Sequence, residues 1–459
     1  MSRDANKQRL KANVISRNDN VGEGRRHPSL LVYVILLFSI LAVLYAVYYY
    51  TTYTMKSEYN VSWEKSAEND SGDIETFRGF KEFAGGIIKY TKDGAEFIEK
   101  KGSVVWERSY QLNAPIIDTG EEYAVIADQG ATSIYIFNGT EVTGVSETVL
   151  PISLVKISDN GIVYAVLNDS DAEYITAFRP DGSAIDLSVK SIINGDGYPF
   201  DIDTSPDGTE LLTSYAGIEA GQIVNNVVFR NFGSVGQNAD ARRVVGGFRD
   251  EFAGHIAGRV HFASNEYSQA FYDGGIVFFS TKVLNSPEVL KNVTFEQRML
   301  AVAYNEDMTA VLLDNSQAVK QQTDNDETTA SADKSSDKKA SDEKETAAES
   351  KAEEETEVAF DKTNIDAASD SGAAYRLLIF DNNGKETGAA DVDMSYKDMC
   401  ISGDTVLIYG SSAIKGYSMK GHLRADLDFN EGEISKLVGT DRTGSFYAVT
   451  GNSIMLVKY

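Results

Sequence analysis

Histidines are the side chains most often used for acid–base and metal chemistry at neutral pH, and this chain has four of them. His255 and His261 form the one close pair, while His27 and His422 stand alone. Five residues separate the pair, which is not the spacing of a helical metalloprotease site, and no carboxylate motif accompanies it. We therefore expect these side chains to make hydrogen bonds in the core or at the rim of the fold rather than to bind a metal.

The other nucleophiles and ligand motifs are equally sparse. Cys400 is the only cysteine, so an intramolecular disulfide and a multi-cysteine metal site are both excluded. Its neighbours Met399 and Ile401 predict a small buried hydrophobic side chain. No Gly-x-Ser-x-Gly elbow and no Gly-Lys-Ser/Thr phosphate loop occurs. The sequence thus predicts no catalytic, cofactor-binding or metal-binding residue, and we expect a protein that is not an enzyme.

Two kinds of charged cluster leave alternatives open. Paired carboxylates two residues apart on a strand point to the same side, so they could bind Ca²⁺ weakly if loops add carbonyl oxygens. A solvated strand face is the favoured reading of these pairs. Neighbouring arginines could form an anion site on the rim. The residues concerned are Asp201 with Asp203, Asp391 with Asp393, and Arg242 with Arg243 near Arg249.

The overall charge excludes one large class of partners. The formal net charge is −26 at pH 7, whereas binding to nucleic acid needs a clustered basic surface. Docking on anionic lipid headgroups is disfavoured for the same reason. The acidity is better understood as keeping an exposed domain soluble.

An apolar segment near the N-terminus predicts one transmembrane helix. No charged residue occurs between Arg26 and Lys56, and about 20 apolar residues suffice to cross a bilayer as a helix. Tyrosines cluster at the end of the segment, as in the aromatic belt of a membrane interface. The run is too long for a cleaved signal peptide. We therefore assign residues 29–53 to an uncleaved signal-anchor.

The flanks of this segment set its orientation. Residues 1–28 carry seven basic and three acidic side chains, and basic flanks stay in the cytoplasm. The sequence therefore predicts a cytoplasmic tail over 1–28 and a single-pass protein of the cell membrane. Everything from residue 57 to 459 would then lie outside the cell.

Beyond residue 57, a repeated pattern predicts an all-β propeller. Apolar strands end in turns of the Asn-Gly or Asp-Gly kind, which favour tight hairpins. The turn glycines Gly102, Gly139, Gly182 and Gly233 follow one another at 37, 43 and 51 residues. A period near 40, with four strands in each unit, is typical of propeller blades. Counting units gives eight blades, or seven if the irregular stretch 191–295 holds one fewer.

The ends of this domain predict how the ring closes. The last unit stops after its third strand, at Tyr459. The segment from Val61 to Lys65 resembles the segment from Val104 to Arg108, which is the outer strand of the first full unit, and each contains one of the two tryptophans. We therefore expect the N-terminal segment to supply the missing strand, because closure removes exposed sheet edges. Packing between blades is the expected role of both tryptophans.

One long polar insertion interrupts the repeat. It covers roughly residues 316–372, between a second and a third strand. Its central part, 321–358, holds thirteen acidic residues against five lysines and no aromatic residue. Such a composition buries too little apolar surface to offset the entropy of ordering. The sequence predicts a disordered acidic insertion.

The phrase from Gly85 to Gly94, running on through Gly102 to Trp106, resembles the quinoprotein-like branch of propellers. The chain from about residue 30 to its end is most similar to domain-of-unknown-function family 5711, a family of single-span bacterial propeller proteins. This resemblance implies a membrane-anchored eight-bladed propeller. The tryptophan recurs in only two strands, so the resemblance implies no quinone cofactor, and we expect no cofactor at all.

Two functions of different classes are compatible with the sequence. The first is an extracytoplasmic binding or scaffold module at the cell envelope, whose partner is another envelope protein or a cell-surface ligand. The second is an envelope enzyme, a hydrolase or a quinoprotein-like oxidoreductase, with carboxylates gathered in the central channel. The absence of a catalytic motif favours the first, although a fold alone does not name a partner.

Overall fold

The computed structural model describes residues 30–66, 78–239, 242–315, 362–365 and 372–459. It divides into two compact units, Met1–Thr54 and Met55–Tyr459. The first unit contains one helix, α1 (Leu30–Tyr53), and its side chains from 33 to 46 are exposed. Within the described residues, no helix combines the length and the apolar character needed to cross a membrane. The predicted transmembrane role of residues 29–53 therefore stays a prediction.

The second unit is a ring of eight blades, each with four antiparallel strands, and one blade has an additional strand at its outer edge. Blade 1 contains β2 (Arg78–Phe83), β3 (Gly86–Thr91), β4 (Gly94–Ile98) and β5 (Val104–Ser109). Blade 2 contains β6 (Pro115–Thr119), β7 (Tyr123–Asp128), β8 (Ser133–Asn138) and β9 (Val142–Glu147). Blade 3 contains β10 (Ile152–Ile157), β11 (Val163–Asn168), β12 (Ala172–Phe178) and β13 (Ala184–Ile192). Blade 4 contains β14 (Tyr198–Thr204), β15 (Glu210–Glu219), β16 (Gln222–Asn231) and β17 (Val244–Phe248).

The other four blades follow in chain order, except that one strand of blade 8 comes from the beginning of the domain. Blade 5 contains β18 (Ala257–Ser264), β19 (Tyr267–Tyr272), β20 (Gly275–Ser280) and β21 (Glu288–Phe295). Blade 6 contains β22 (Met299–Tyr304), β23 (Thr309–Asp314), β25 (Tyr375–Phe380) and β26 (Glu386–Val392). Blade 7 contains β27 (Asp398–Ser402), β28 (Thr405–Tyr409), β29 (Ala413–Ser418) and β30 (Leu423–Asp428). Blade 8 contains β31 (Lys436–Gly439), β32 (Ser445–Val449), β33 (Ser453–Lys458) and β1 (Asn60–Ser66).

The all-β prediction and the count of eight blades are confirmed, and the alternative of seven is wrong. Short helices, α2 (Ile193–Asp196) and α3 (Ser234–Gln237), occupy connections around blade 4. These helices lengthen the connections within residues 191–295. The resulting irregular spacing is the reason why the sequence alone allowed either seven or eight blades. We label the strands of each blade a to d in order. The a strands of neighbouring blades contact one another around the ring, so they line a central channel.

The core consists of apolar layers between neighbouring blades. Strand side chains alternate between two faces, and each face of a blade packs on the next blade. Between blades 1 and 2, for example, Phe97 and Trp106 pack with Ala124, Ile126 and Phe137. The repeated strands of the sequence therefore bury both faces, which explains why many of them read as continuous apolar runs.

The predicted ring closure is confirmed. Strand β1 pairs antiparallel with β33, and Trp63 lies opposite Leu456. The Trp63 indole donates a hydrogen bond to the Lys100 carbonyl of blade 1 at 2.9 Å. Trp106 does the same one blade further on, where it donates to the Asn138 carbonyl at 3.1 Å. Both tryptophans thus fasten a d strand to the c–d turn of the following blade.

A bulge at the beginning of the d strand explains this recurring position. The c–d register shifts by one residue between Phe97 and Ile98 in blade 1, and between Val61 and Trp63 in blade 8. In blade 2 the residue after the bulge is Gly144, and a Cβ there would lie 2.4 Å from the Gly182 nitrogen of blade 3. Blades therefore join at this point either through an indole or through a glycine that lets two backbones touch.

The polar insertion enters between β23 and β25, which pair with Asp314 opposite Tyr375. This is the predicted connection between a second and a third strand. Most of the predicted insertion 316–372 lies outside the described residues, so its predicted disorder stays a prediction. Four residues within it, β24 (Lys362–Ile365), form a strand that pairs parallel with β21 on the outer edge of blade 5. No pattern in the sequence indicated that fifth strand.

Candidate functional site in the central channel

Five polar side chains from the a strands of consecutive blades form a connected row along the channel wall. The apolar residues of these strands pack between the blades, whereas the five polar residues lie near the end of each strand, just before the a–b turn. The members of this channel row, from blade 2 to blade 6, are Asp118, Lys156, Asp203, His261 and Tyr304.

Lys156 is the centre of the channel row. Its ammonium lies 3.5 Å from an Asp203 oxygen and 3.9 Å from an Asp118 oxygen, so it bridges blades 2, 3 and 4. The three side chains are less than a quarter exposed. An ammonium held by two carboxylates in a poorly solvated site is stabilised only while both partners stay in place.

Asp203 connects the channel row to blade 5. One of its oxygens accepts hydrogen bonds from His261 Nδ1 at 3.0 Å and from the Phe262 amide at 2.8 Å. The His261 ring stacks on Tyr304 of blade 6, with ring centroids 4.0 Å apart. Because Nδ1 donates to a carboxylate, the neutral tautomer of His261 presents an acceptor at Nε2, and this atom is buried without a hydrogen-bond partner.

Burial and charge act against each other on these groups. Burial by itself would lower the pKa of Lys156, but Asp118 and Asp203 outweigh it and raise that pKa above its ordinary value. Burial would raise the pKa of Asp203, yet Lys156 and His261 bring it down to about 2. Both groups are therefore charged throughout the physiological range. Such fixed charges hold blades together and are poorly suited to general acid–base catalysis, which needs a pKa near the working pH.

Carboxylates also tie blades together through the backbone. Asp118 accepts a hydrogen bond from the Ile157 amide of blade 3 at 3.0 Å. Asp201 accepts one from the Val260 amide of blade 5 at 2.9 Å. Strand a is the innermost strand of its blade, so one of its edges has no neighbouring strand. The carboxylates accept the hydrogen bonds of backbone amides on that edge, as a neighbouring strand would otherwise do.

The favoured reading of Asp201 and Asp203 as a solvated strand face is wrong. Asp203 is 9% exposed, and both carboxylates accept hydrogen bonds from the next blade. Among the residues that the structure describes, no group of three His, Cys, Asp or Glu side chains could hold a metal ion. The pair therefore acts between blades, in a place that strand alternation alone could not reveal.

The remaining candidate carboxylates and the arginines lie elsewhere, on the outer parts of the ring. Asp391 pairs with Arg376 at 2.6 Å on blade 6, whereas Asp393 is exposed. Arg242 pairs with Asp196 at 2.5 Å and Arg249 with Glu219 at 2.6 Å. The guanidinium of Arg243 donates to the Phe232 carbonyl. Carboxylates and a carbonyl already bind these arginines, so their contacts do not favour the alternative of a rim anion site, which stays untested.

The histidines and the cysteine are also dispersed. His255 lies at the surface and contacts Asp273 at 2.8 Å, and His422 lies in the c–d turn of blade 7. His27 lies outside the described residues. Cys400 is half-buried on β27 against the core of blades 7 and 8, and burial raises the pKa of its thiol to about 12. The structure thus separates His255 from His261, and only His261 belongs to the channel row.

Sequence reasoning missed Asp118, Lys156 and Tyr304. A signal was present, because in β6 and β10 a charged residue interrupts a run of apolar ones just before the a–b turn. Read one blade at a time, such a residue looks like an exposed position. Its meaning emerges only when the same position is compared across neighbouring blades, since opposite charges then face each other.

Several solved structures are similar to this chain at low sequence identity. BamB from Moraxella catarrhalis has a TM-score of 0.48 and 9% identity, over 88% of this chain and all of that one. The Pan2 WD40 domain from Neurospora crassa has a TM-score of 0.40 and 10% identity, over 75% of this chain and 88% of that one. Apo AztD from Citrobacter koseri has a TM-score of 0.43 and 9% identity, over 80% of this chain and 86% of that one.

No protein with a curated description matches the sequence. A family match, in contrast, covers nearly the whole domain, over residues 50–325 and 323–458. This agrees with the resemblance carried by the blade motif around Trp106. The chain belongs to the family of unknown function DUF5711.

Proposed function

We propose that this protein is an extracytoplasmic binding module, anchored by the segment 29–53, that docks an envelope protein on one face of its propeller. The fixed charges of the channel row support binding rather than catalysis, because these groups are occupied in joining blades. The observation that carries the proposal is a projecting hairpin on blade 4.

This hairpin consists of β15 and β16, which have ten residues each and are the longest strands in the described part of the chain. Ala216 is the last residue of β15 that pairs with β14. The residues beyond it pair only with each other, up to Glu219 opposite Gln222. At about 3.3 Å per residue, the hairpin extends roughly three residues, or ~10 Å, past the rest of its blade. It projects on the face that carries the b–c and d–a connections.

Two of the exposed side chains near the tip of the hairpin are large and apolar. Ile218 and Ile223 form a cross-strand pair and are 78% and 53% exposed. At the base of the same hairpin, Tyr198 and Phe200 are also exposed, at 36% and 49%. Isolated exposed apolar residues are ordinary, but a cluster on a projecting element is typical of a protein interface. Because Glu219, next to Ile218, forms an ion pair with Arg249, the surface suits a protein partner with a small apolar centre and a polar rim.

Replacing both isoleucines by aspartate is expected to abolish docking. Each buried isoleucine contributes about 1.5–3 kcal/mol, so I218D combined with I223D should weaken binding by at least about a hundredfold. Val149 is 95% exposed on a d–a connection of the same face, and V149D provides the matched control. A photo-crosslinking residue at 223, but not at 149, should capture one protein in producing cells.

The captured protein, once purified, should bind the wild type and V149D equally. Binding to the double aspartate variant with undiminished affinity would contradict the hairpin as the docking element. So would the same set of crosslinked proteins at both positions.

The topology can be tested with single cysteines. Cys400 should give little background with maleimide, because its thiol is half-buried and burial raises its pKa to about 12. In a Cys400→Ala chain, V149C should react with a membrane-impermeant maleimide on intact cells. S16C, in the basic tail, should react only after the membrane is permeabilised. Labelling in the reverse order, or of neither before permeabilisation, would contradict an extracellular propeller.

A further inference from the structure

The outer edge of blade 5 differs in composition from those of the other blades. Its outer strand β21 ends in Asn292–Phe295, which carries no charge and includes three strong strand formers, a valine, a threonine and a phenylalanine. In six other blades the last four residues of the outer strand contain a charged side chain, and in blade 4 they contain two glycines. Charges and glycines on an outer strand discourage pairing with another chain. The edge of blade 5 has neither safeguard over these four residues.

The additional strand β24 covers this edge. It pairs in parallel with the last four residues of β21, with Lys362 opposite Asn292 and Ile365 opposite Phe295. The edge is held firmly by the blades behind it, because Asn292 and Val293 are only 2% and 0% exposed. Strand β21 therefore presents backbone groups on a rigid support, and an incoming strand can pair with them without any rearrangement of the edge.

The contact made by β24 is a weak one. The strand has four residues, and within the described part of the chain it pairs with one neighbour only. Parallel pairing is slightly less stable per residue than antiparallel pairing, and a strand this short with one partner is marginal in water. Loss of β24 would leave blade 5 with the four strands that each of the other blades has. It can therefore be exchanged for another strand while the ring stays folded.

A second extended segment docks in the same direction on blade 7. Lys56 pairs in parallel with Ala425 on the outer edge of β30. Its amide donates to the Arg424 carbonyl at 2.7 Å, and its carbonyl accepts a hydrogen bond from the Asp426 amide at 2.9 Å. This bridge is one residue long, on a strand that carries Asp426 and Asp428. Outer edges of this ring thus accept extended segments in parallel, and the uncharged edge accepts the longer one.

We propose that the outer edge of blade 5 is a docking site for an extended segment of another protein, which β24 occupies until that segment displaces it. The partner segment pairs in parallel with Asn292–Phe295 through its backbone, as in recognition by β-strand addition. It contains no proline and has β-branched residues at alternate positions, as Thr363 and Ile365 are in β24. Strand β21 has eight residues, so a longer partner strand has room for more pairs than β24 makes. The site does not depend on the hairpin of blade 4.

A peptide with the sequence of residues 360–367 is a suitable probe, and relaxation of a fluorine label on it reports weak binding to the full-length chain. Successive residues of a strand direct their N–H groups to opposite sides, so T363P combined with N364P removes a bond to β21 whichever of the two makes it. This variant should bind the peptide at one site, at least about tenfold more tightly than the wild type, in which β24 competes within the same chain. In the matched control S335P with S336P, the prolines lie in the same insertion but outside β24, and binding should be as weak as in the wild type.

Two N-methylated forms of the peptide test whether the backbone is recognised. One is methylated at the residues corresponding to Lys362 and Asn364, the other at those corresponding to Thr363 and Ile365, so each form blocks the N–H groups along one side. One form should bind the T363P/N364P variant like the unmodified peptide, and the other should bind at least about tenfold more weakly.

Three results would overturn the proposal: no saturable binding of the unmodified peptide to the double-proline variant, equal binding to the wild type, or equal binding of the two methylated forms. Self-association of the double-proline variant that excludes the peptide would also overturn it, because the edge would then bind a second copy of this chain.

Discussion

Deletion of residues 57–66 is expected to unfold the propeller at a much lower temperature than the wild type. The deletion removes β1, which supplies the fourth strand of blade 8. It also removes the Trp63 bond to Lys100 and the stacking of Tyr59 on Phe429, whose ring centroids are 5.6 Å apart. The backbone of β33 would be left as an open edge, and blades 8 and 1 would lose a bridge between them.

The single change Trp63→Ala should reproduce a large part of this loss. Truncation of a largely buried tryptophan and loss of its hydrogen bond cost about 2–4 kcal/mol. Ser62 lies beside it on the bulge and is exposed, so Ser62→Ala is a suitable control and should change stability by less than about 0.5 kcal/mol. Denaturant titration of the three proteins provides the comparison. An unfolding midpoint that the deletion leaves unchanged would refute the closure.

Lys156→Met is expected to have the second large effect. The substitution keeps the length of the side chain but leaves Asp118 and Asp203 facing each other without a cation. Removing one partner of a buried ion pair costs about 3–5 kcal/mol. Lys190 is an exposed lysine on the outer strand of the same blade, and Lys190→Met removes an equal charge as a control. A loss of stability no greater than that of the control would show that the channel row does not hold the blades together.

The pH dependence of this variant distinguishes lost charge pairing from lost packing. In the wild type the Asp203 pKa of about 2 lies below its unfolded value, so its stabilising contribution is complete above about pH 4 and is lost as the pH falls toward 2. Without Lys156, burial favours the protonated carboxyl, so the variant should become more stable as the pH falls from 7.5 to 4.5. The difference in unfolding free energy between the two proteins should therefore shrink over that range. A constant difference would indicate packing alone.

Local sequence signals predicted the ring because each blade repeats the same short-range chemistry. The likeness of the segments around Trp63 and Trp106 was sufficient to predict which strand closes blade 8, since both tryptophans follow the same bulge. The channel row was not predictable in this way. Asp118 and Lys156 are close only because the a strands of blades 2 and 3 lie side by side at the channel. A single sequence does not show which residues of two such strands face each other. The extension of β15 and β16 was equally hidden, because a longer hairpin reads as an irregular spacing.

The route by which blade 8 is completed also sets the order of assembly. Strand β1 is the first strand of the ring to be synthesised, and its partner β33 is the last. While the blades between them are being made, β1 has no partner and β33 does not yet exist. Ring formation is therefore a late, all-or-nothing event in biogenesis, and a chain cut short anywhere before β33 would display two unmated sheet edges. Ring closure therefore depends on whether β33 has been synthesised, because only then do both edges find their partners.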